Sequence, residues 1–318
     1  MRRIAKFVGI DSYSTDPLAG CVADANGLAR LLESNDDQSA NFNCESLIND
    51  AVTRVGLRQA VEHVFNNPDV EIALFFFAGH GVRRGEKEPY EGILRTIDGV
   101  KGDEGVPMEW VLAQANQSKA RERLIILDCC HAGAIDQVLA SRTPVPLSEG
   151  VSILAASRTN QAAVESGGRG VFSLLVSAAL DGGAADVRGF VTAASVYAYV
   201  DQLLTPWKQR PIFRASVAGM VSIRRAKHAV SDEMLRELGR LFNAEDTYYR
   251  LDKSYEPTEQ PKHAEHERIF GVLQRCRGAG LVEPVGFPHM YDAAMGGTGC
   301  KLTPLGRGYW HQVKSRLF

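Results

Sequence analysis

The first two thirds of the chain alternate between short apolar runs and longer stretches in which apolar residues recur at helical spacing. The apolar runs predict strands, most of them buried, at 3–10, 45–48, 70–77, 124–127, 151–156 and 211–215. The last of these starts at a proline, which indicates an edge strand. The intervening stretches predict helices at 21–32, 53–64, 107–115, 171–180 and 192–204. Strands that alternate with helices favour a mostly parallel sheet with helices on both faces, which is an α/β fold.

The alternation stops near residue 224, and the remaining residues follow another pattern. They predict helices at 232–242 and 265–279. A polar, proline-containing linker at 254–262 is predicted between these helices. A short strand, a glycine-rich stretch, a further strand and a last helix follow, and this order resembles the second half of a winged-helix domain. We therefore predict two domains, 1–224 and 225–318, of which the second is smaller and mainly α-helical.

Composition limits the class of protein. The chain has 318 residues, of which 45% are hydrophobic and 23% charged, and its formal net charge of −2 provides no general attraction to nucleic acid or acidic lipid. No apolar run reaches the roughly 18 residues of a membrane-spanning helix, and the first run stops at Asp11, too early for a signal peptide. The six cysteines lack the spacing of a disulfide framework, so we expect a reducing, cytoplasmic environment and no membrane partner.

Two of the predicted strands end at reactive side chains flanked by small residues. The run 70–77 leads to Ala78-Gly79-His80-Gly81, and the run 124–127 leads to Asp128-Cys129-Cys130-His131-Ala132-Gly133. Chemistry in an open parallel sheet gathers outside the carboxyl ends of the strands, so adjacent strands would bring His80 and Cys130 face to face. A cysteine beside a histidine can become a thiolate, which is a nucleophile.

These segments resemble the motifs of caspase-fold cysteine peptidases of peptidase C14, and especially those of bacterial metacaspase-like members. A third motif of that group stands near the amino terminus, as Gly20-Cys21-Val22-Ala23-Asp24-Ala25. The spacing agrees as well, because the histidine lies about fifty residues before the cysteine, as in caspases. The resemblance covers roughly residues 1–224 and implies a caspase-like, mostly parallel sheet and the activity of a cysteine endopeptidase.

The resemblance also implies a role for each motif residue. Cys130 is the nucleophile, His80 is the general base and acid, and the backbone N–H groups of Gly81 and Cys130 form the oxyanion hole, whereas His131 is structural. The alternatives are a buried structural cysteine and a structural histidine in a turn. Cys129 competes for the role of nucleophile, but side chains alternate along a strand, so we expect Cys129 to point toward the core.

Substrate preference follows from the same resemblance. Metacaspases bind the residue before the cut in an acidic pocket, whose positions map onto Cys21, Asp24 and Asp128. Two carboxylates in a confined site bind a guanidinium or ammonium group, and the planar fork of arginine favours Arg over Lys. Asp24 has an alternative role as a first-turn acid that interacts with the helix dipole. The family often has serine where this chain has Ala78, which removes one hydrogen bond from the pocket.

We expect no cofactor and no metal site. The sequence has no CxxC or HxxxH pairing of the kind that binds zinc and no glycine-rich phosphate loop. Calcium is the alternative, because many metacaspases need it, although the spacing of the acids differs from the family's. The candidate oxygen ligands are Asp98, Asp103, Glu104 and Asp136.

The remaining segments bear on regulation. Basic residues of the C-terminal domain are interleaved with acids, so we expect a sensor for an activating small molecule or a docking site for a partner protein, and no tight binding to nucleic acid. The resemblance suggests an effector of bacterial defence or cell death. Arg142 is a candidate self-cleavage point, and an ordinary surface loop is the alternative. Two other functions stay open, a catalytically silent caspase-like scaffold and a DNA-binding regulator that uses the winged helix.

Overall fold

A computed structural model describes residues 2–85, 90–129, 146–156, 165–166, 169–204, 210–216, 219 and 221–318. The chain divides into two compact units, Met1–Ala185 with Phe190–Ala226, and Asp186–Gly189 with Lys227–Phe318. The first unit has a hydrophobic core on each face of its large sheet, and the second unit has a core of its own.

The first unit contains a mostly parallel sheet, as the sequence predicted. Its strands are β1 (Arg3–Gly9), β2 (Asn43–Ile48), β3 (Ile72–Ala78), β4 (Gly81–Arg84), β5 (Glu91–Val100), β6 (Asp103–Pro107), β7 (Glu122–Asp128), β8 (Val151–Ala155), β9 (Glu165–Ser166), β10 (Arg169–Gly170), β11 (Phe190–Thr192), β12 (Ile212–Ser216) and β13 (Ser222–Arg225). Six of them form the central sheet in the order β12-β8-β7-β3-β1-β2. Neighbouring strands are parallel except for β12, which pairs antiparallel with β8 at the edge.

Helices cover both faces of this sheet. They are α1 (Cys21–Glu33), α2 (Arg54–Phe65), α3 (Met108–Gln117), α4 (Val171–Ala178) and α5 (Ala193–Leu204). Helices α1, α4 and α5 pack on one face, and α2 and α3 pack on the other. Because both faces are covered, every residue of β3 is buried, which explains why its sequence is a continuous apolar run.

Smaller antiparallel pairings surround the central sheet. Strands β4, β5 and β6 form a three-stranded sheet, and two-stranded pairings join β9 to β10 and β11 to β13. The sequence did not predict the three-stranded sheet. The buried residues of β5 lie toward its start and its end is mostly exposed, so the apolar signal is short and the pairing depends on tertiary contacts.

The second unit contains α6 (Asp232–Leu241), β14 (Tyr248–Tyr249), α7 (Ala264–Gly278), β15 (Val282–Pro284), α8 (Met290–Met295), β16 (Cys300–Leu302) and α9 (Pro304–Lys314), and its strands form a sheet in the order β14-β16-β15. The predicted linker 254–262 is irregular and mostly exposed after residue 255, whereas Tyr255 is 7% exposed and packs into the core. The sequence did not predict α8, which lies in the glycine-rich stretch. The winged-helix assignment stays a prediction. In the part of the chain that the structure describes, no helix is both long and apolar enough to cross a bilayer.

Candidate active site

The carboxyl ends of neighbouring strands meet at one edge of the central sheet. Ala78, the last residue of β3, pairs in register with Asp128, the last residue of β7, and also with the end of β1. The contact continues beyond the strands, because the Gly79 N–H donates to the Asp128 carbonyl oxygen at 3.3 Å. His80 follows Ala78 by two residues. Cys130 follows Asp128 by two residues and lies outside the described part of the chain.

His80 is held by the loop that follows β1. The His80 backbone N–H donates to the Tyr13 hydroxyl oxygen at 3.1 Å, that hydroxyl donates to the Arg95 carbonyl oxygen at 3.1 Å, and the Tyr13 and His80 ring centroids lie 4.7 Å apart. His80 Nε2 lies 2.6 Å from the Asp16 carbonyl oxygen. Because a carbonyl oxygen only accepts, Nε2 carries the hydrogen, and the neutral ring has its lone pair at Nδ1. The partly exposed imidazole can therefore act as a base through Nδ1.

The contact between Tyr13 and His80 explains the glycine that precedes the histidine. A methyl group at Gly79 would lie 2.7 Å from the Tyr13 hydroxyl oxygen, which is closer than non-bonded atoms approach. Burial raises the pKa of Tyr13 well above its usual range, so its hydroxyl stays protonated and keeps both hydrogen bonds across neutral pH.

Asp128, which ends β7, and Cys129, which follows it, point to opposite faces of the central sheet. Cys129 is 1% exposed and belongs to the core under α2 and α3, together with Ile125 and Leu127. This confirms the expectation that Cys129 points into the core. Asp128 points to the other face, where it contacts Ser173 of α4. Because side chains alternate along a strand, Cys129 enters the core on one face of the sheet and the Asp128 carboxylate lies on the opposite face.

Two buried carboxyl groups, which we call the acidic pair, border the start of α4. They are Asp24, which is 1% exposed, and Asp128, which is 7% exposed. Asp128 Oδ2 accepts the Ser173 N–H at 3.2 Å and the Ser173 hydroxyl at 2.5 Å. Asp24 accepts the Gly170 N–H at 2.9 Å through Oδ2 and the Arg169 Nε–H at 2.6 Å through Oδ1. A methyl group at Gly170 would overlap Asp128 Oδ2 and lie 3.4 Å from Asp24 Oδ2, so both carboxyl groups reach the same glycine.

Burial dominates the electrostatics of Asp24. The loss of water raises the pKa of Asp24 above its usual range, and the charge of Asp11 adds to this. The Gly170 N–H and the Arg169 guanidinium favour the ionised form, but they do not cancel the effect of burial. An ionised Asp24 is thus stabilised by the Gly170 N–H and by a cation placed directly against it, and the second of these is the chemistry that a pocket for basic side chains requires.

Cys21 lies at the same edge, as the first residue of α1. The Asp11 carboxylate accepts the N–H groups of Cys21 and Val22 at 2.8 and 3.3 Å, and so caps the helix from outside. Gly9 lets the helix approach β1, because a methyl group there would overlap the Cys21 carbonyl oxygen. Residues three apart on a helix share a face, so the capped start of α1 places half-buried Cys21 beside Asp24.

The remaining motif positions are partly described. Gly81 is buried at the start of β4 and pairs with Leu94 of β5. Ala78 is 1% exposed and packs in the core under α1 and α4. Cys130 and His131 lie outside the described residues, so the oxyanion hole and the structural role of His131 stay predictions. Arg142 also lies outside them, and so does Asp136.

Three residues at this edge were not singled out from the sequence. Tyr13 positions His80, Ser173 bonds Asp128, and Arg169 bonds Asp24. A weak signal existed for two of them, because Tyr13 is a large aromatic in a polar segment and Ser173 is one of two serines in an otherwise apolar helix. Arg169 had no such signal, since an arginine in a glycine-rich segment is ordinary.

The proposed calcium ligands have other partners. Asp98 accepts the Arg54 backbone N–H at 2.9 Å and the Thr96 hydroxyl at 2.7 Å, and Glu104 accepts the Gly102 N–H at 2.7 Å. Asp103 forms an ion pair with the Arg54 guanidinium. Within the described residues, no three His, Cys, Asp or Glu side chains are grouped so that they could hold a metal ion.

Comparisons with known proteins agree with this fold. The family model described as "Caspase domain" matches residues 2–221. Among solved structures, the chain is similar to protein GSU0716 from Geobacter sulfurreducens, with a TM-score of 0.54 and 16% sequence identity over 72% of this chain and 98% of that chain. At this identity, the likeness concerns the fold alone. No curated protein matches the chain.

Proposed function

The chain belongs to the caspase-domain family of cysteine peptidases, and on this premise we propose that it is an endopeptidase that cleaves proteins after arginine or lysine. Cys130 is the nucleophile and His80 is the base and acid. The observation that carries the proposal is the in-register pairing of Ala78 with Asp128, because both reactive residues follow this pair by two positions on adjacent strands.

The proposed reaction uses His80 in both of its proton-transfer roles. Nδ1 of His80 takes the proton of the Cys130 thiol, and the sulfur attacks the carbonyl carbon of the scissile peptide bond. The N–H groups of Gly81 and Cys130 stabilise the oxyanion. His80 then returns the proton to the leaving amine, and water hydrolyses the acyl-enzyme. The hydrogen bond from Nε2 to the Asp16 carbonyl oxygen supports this assignment, since it leaves Nδ1 without a hydrogen in the neutral ring.

The acidic pair supports the preference for basic side chains. Asp24 and Asp128 both reach Gly170, and they lie on the same face of the sheet at the edge where His80 stands. A guanidinium that enters here would meet two carboxyl groups, and its planar fork can bond both oxygens of one of them. We assign Cys21 to the wall of this pocket, because it lies on the same face of α1 as Asp24.

We further propose that the second unit regulates the peptidase as a sensor or a partner-docking domain, in bacterial defence or cell death and in the cytoplasm. The alternative of a DNA-binding winged helix finds little support, because Arg268 of α7 is engaged by Glu237 at 2.9 Å and by Glu265 at 2.7 Å. Cations that are already paired contribute little to phosphate neutralisation.

The test is hydrolysis of fluorogenic peptides that end in Arg, Lys or Asp, with and without calcium. We expect cleavage after Arg and Lys, and its loss in Cys130→Ala and His80→Ala. The matched controls are Cys129→Ala, which changes the adjacent core cysteine, and His63→Ala, which changes an exposed histidine of α2. Equal rates in Cys130→Ala and in the unsubstituted protein would contradict the proposal.

A catalytically silent scaffold is the competing function, and silence on every peptide would not by itself separate it from a latent peptidase. A thiol-reactive reagent that carries an arginine side chain makes this distinction. We expect it to label Cys130 in the unsubstituted protein and much more slowly in His80→Ala. Labelling that is equally slow in both proteins would favour the scaffold.

A further inference from the structure

The acidic pair already has a cation against it, and that cation comes from the same chain. Arg169 lies in β10, directly before Gly170, and its Nε–H donates to Asp24 Oδ1 at 2.6 Å. Its guanidinium also extends along α1, since a methyl group at Gly27 would lie 3.7 Å from a terminal nitrogen of Arg169. The guanidinium is the group that the proposed substrate would bring to this site.

The exposure of the two partners shows how the contact is arranged. The Asp24 side chain is 1% exposed, whereas the Arg169 side chain is 34% exposed. The carboxylate is therefore covered, and the arginine that bonds it reaches solvent along part of its length. While Arg169 donates to Asp24 Oδ1, a substrate arginine cannot form the same hydrogen bond. The Arg169 side chain can move away from Asp24 into solvent, because it is not sealed in the core.

We propose that Arg169 is an internal competitor for the acidic pair, and that it must leave Asp24 before a substrate arginine can bind. This inference rests on the proposed function, whose pocket it regulates. The Arg169 side chain reaches solvent, so its rotation away from Asp24 exchanges the internal guanidinium for the external one.

The contact is suited to displacement because it is only partly buried. Ion pairs that reach solvent are weak, and salt screens them. If the site is open for about a tenth of the time, the apparent dissociation constant of a ligand is about tenfold higher than that of a permanently open site. Arg169 therefore lowers affinity for every basic side chain without abolishing binding.

A purely structural role for Arg169 predicts a different result. In that case the guanidinium serves to neutralise a buried carboxylate, and its removal damages the pocket. Substrate arginine would then bind more weakly after the substitution. Internal competition predicts tighter binding, so the sign of the change in affinity separates the two roles.

The experiment measures calorimetric binding of acetyl-arginine amide to the full chain carrying Cys130→Ala, which prevents turnover. We expect Arg169→Ala to lower the dissociation constant about tenfold. The dissociation constant of Arg169→Lys should lie between those of the parent and of Arg169→Ala, because lysine keeps the charge without the planar fork. Acetyl-citrulline amide, which has nearly the same shape and no charge, should bind none of these proteins measurably. Arg54→Ala removes another arginine that is paired to an aspartate, on the α2 side, and should leave binding unchanged.

The outcomes distinguish this inference from the proposed function. An equal or higher dissociation constant in Arg169→Ala, with normal binding by the parent protein, overturns internal competition and leaves the arginine preference intact. Absence of binding in the parent and in both folded Arg169 variants overturns the arginine pocket, and the inference with it. Thermal unfolding of each variant shows whether the protein is folded, and Arg169→Lys answers the question if Arg169→Ala does not fold.

Discussion

Tyr13 holds His80 through both its hydroxyl group and its ring. The hydroxyl oxygen accepts the His80 backbone N–H at 3.1 Å, and the two ring centroids lie 4.7 Å apart. The same hydroxyl donates to the Arg95 carbonyl oxygen. A single buried tyrosine thus joins the loop after β1 to the start of β4 and to β5, and fixes the backbone that presents the proposed base.

Removal of this hydroxyl should therefore affect both stability and catalysis. We expect Tyr13→Phe to lower the free energy of unfolding by about 1–3 kcal/mol, because two partly buried backbone groups lose their partner. The value of kcat should fall with little change in KM, since the histidine is displaced and the acidic pair is not. Urea unfolding and peptide hydrolysis measure the two effects. The control is Tyr197→Phe, whose ring stacks on Phe213 far along the chain from His80. A normal kcat in Tyr13→Phe would remove Tyr13 from the positioning of His80.

Ser173 should matter for the binding of basic substrates. Its hydroxyl donates to Asp128 Oδ2 at 2.5 Å from a fully buried position. We expect Ser173→Ala to cost about 1–3 kcal/mol of unfolding free energy, because a buried carboxyl oxygen loses a hydrogen-bond partner. KM for arginine peptides should rise more than kcat falls. Ser177→Ala, one turn further along α4, is the matched control, and an equal effect of both substitutions would contradict the role of Ser173.

Gly170 should tolerate no side chain. A methyl group there would overlap Asp128 Oδ2, so Gly170→Ala must displace the carboxylate or the start of α4. We expect a loss of about 1–3 kcal/mol in unfolding free energy, as for overpacked cores, and a large fall in kcat/KM for arginine peptides. Gly271→Ala in α7 is the control, because nothing lies within 4 Å of its methyl group and alanine favours the helix. Unchanged hydrolysis in Gly170→Ala would separate the acidic pair from catalysis.

As the pH falls, binding of a basic ligand should begin to weaken at a higher pH than it would if Asp24 were an exposed aspartate. Burial raises the pKa of Asp24 above the value of about 3.9 for a free side chain, so Asp24 takes up a proton earlier as the pH falls. Protonation removes the charge that attracts the guanidinium. We expect the dissociation constant of acetyl-arginine amide for Cys130→Ala to rise as the pH falls through this raised pKa.

The variant Asp24→Asn provides the check on that pH dependence. It should bind the ligand weakly at every pH and lack the rise that Asp24 causes. Glu33→Gln changes an exposed acid at the other end of α1 and should keep the rise. If the rise persists unchanged in Asp24→Asn, another group titrates in the pocket.

Much of the fold could be predicted from local sequence. Strands buried on both faces must be continuous apolar runs, so local hydrophobicity alone was enough to predict β3 and β7. The alternation of side chains also predicted that Cys129 enters the core. The sheet β4-β5-β6 and helix α8 were missed because their local signal is short: the end of β5 is mostly exposed, and α8 has only six residues.

The sequence by itself determined where the reactive residues stand, because His80 and the Cys130 motif follow strand ends that local hydrophobicity defines. Only the tertiary structure decided what surrounds them. Arg169 and Asp24 are 145 positions apart, and Tyr13 and His80 are 67 positions apart. Contacts of this kind carry no periodic signal. The first arises when α1 and α4 pack on the same face of the sheet, and the second arises when the loop after β1 meets the end of the neighbouring strand β3.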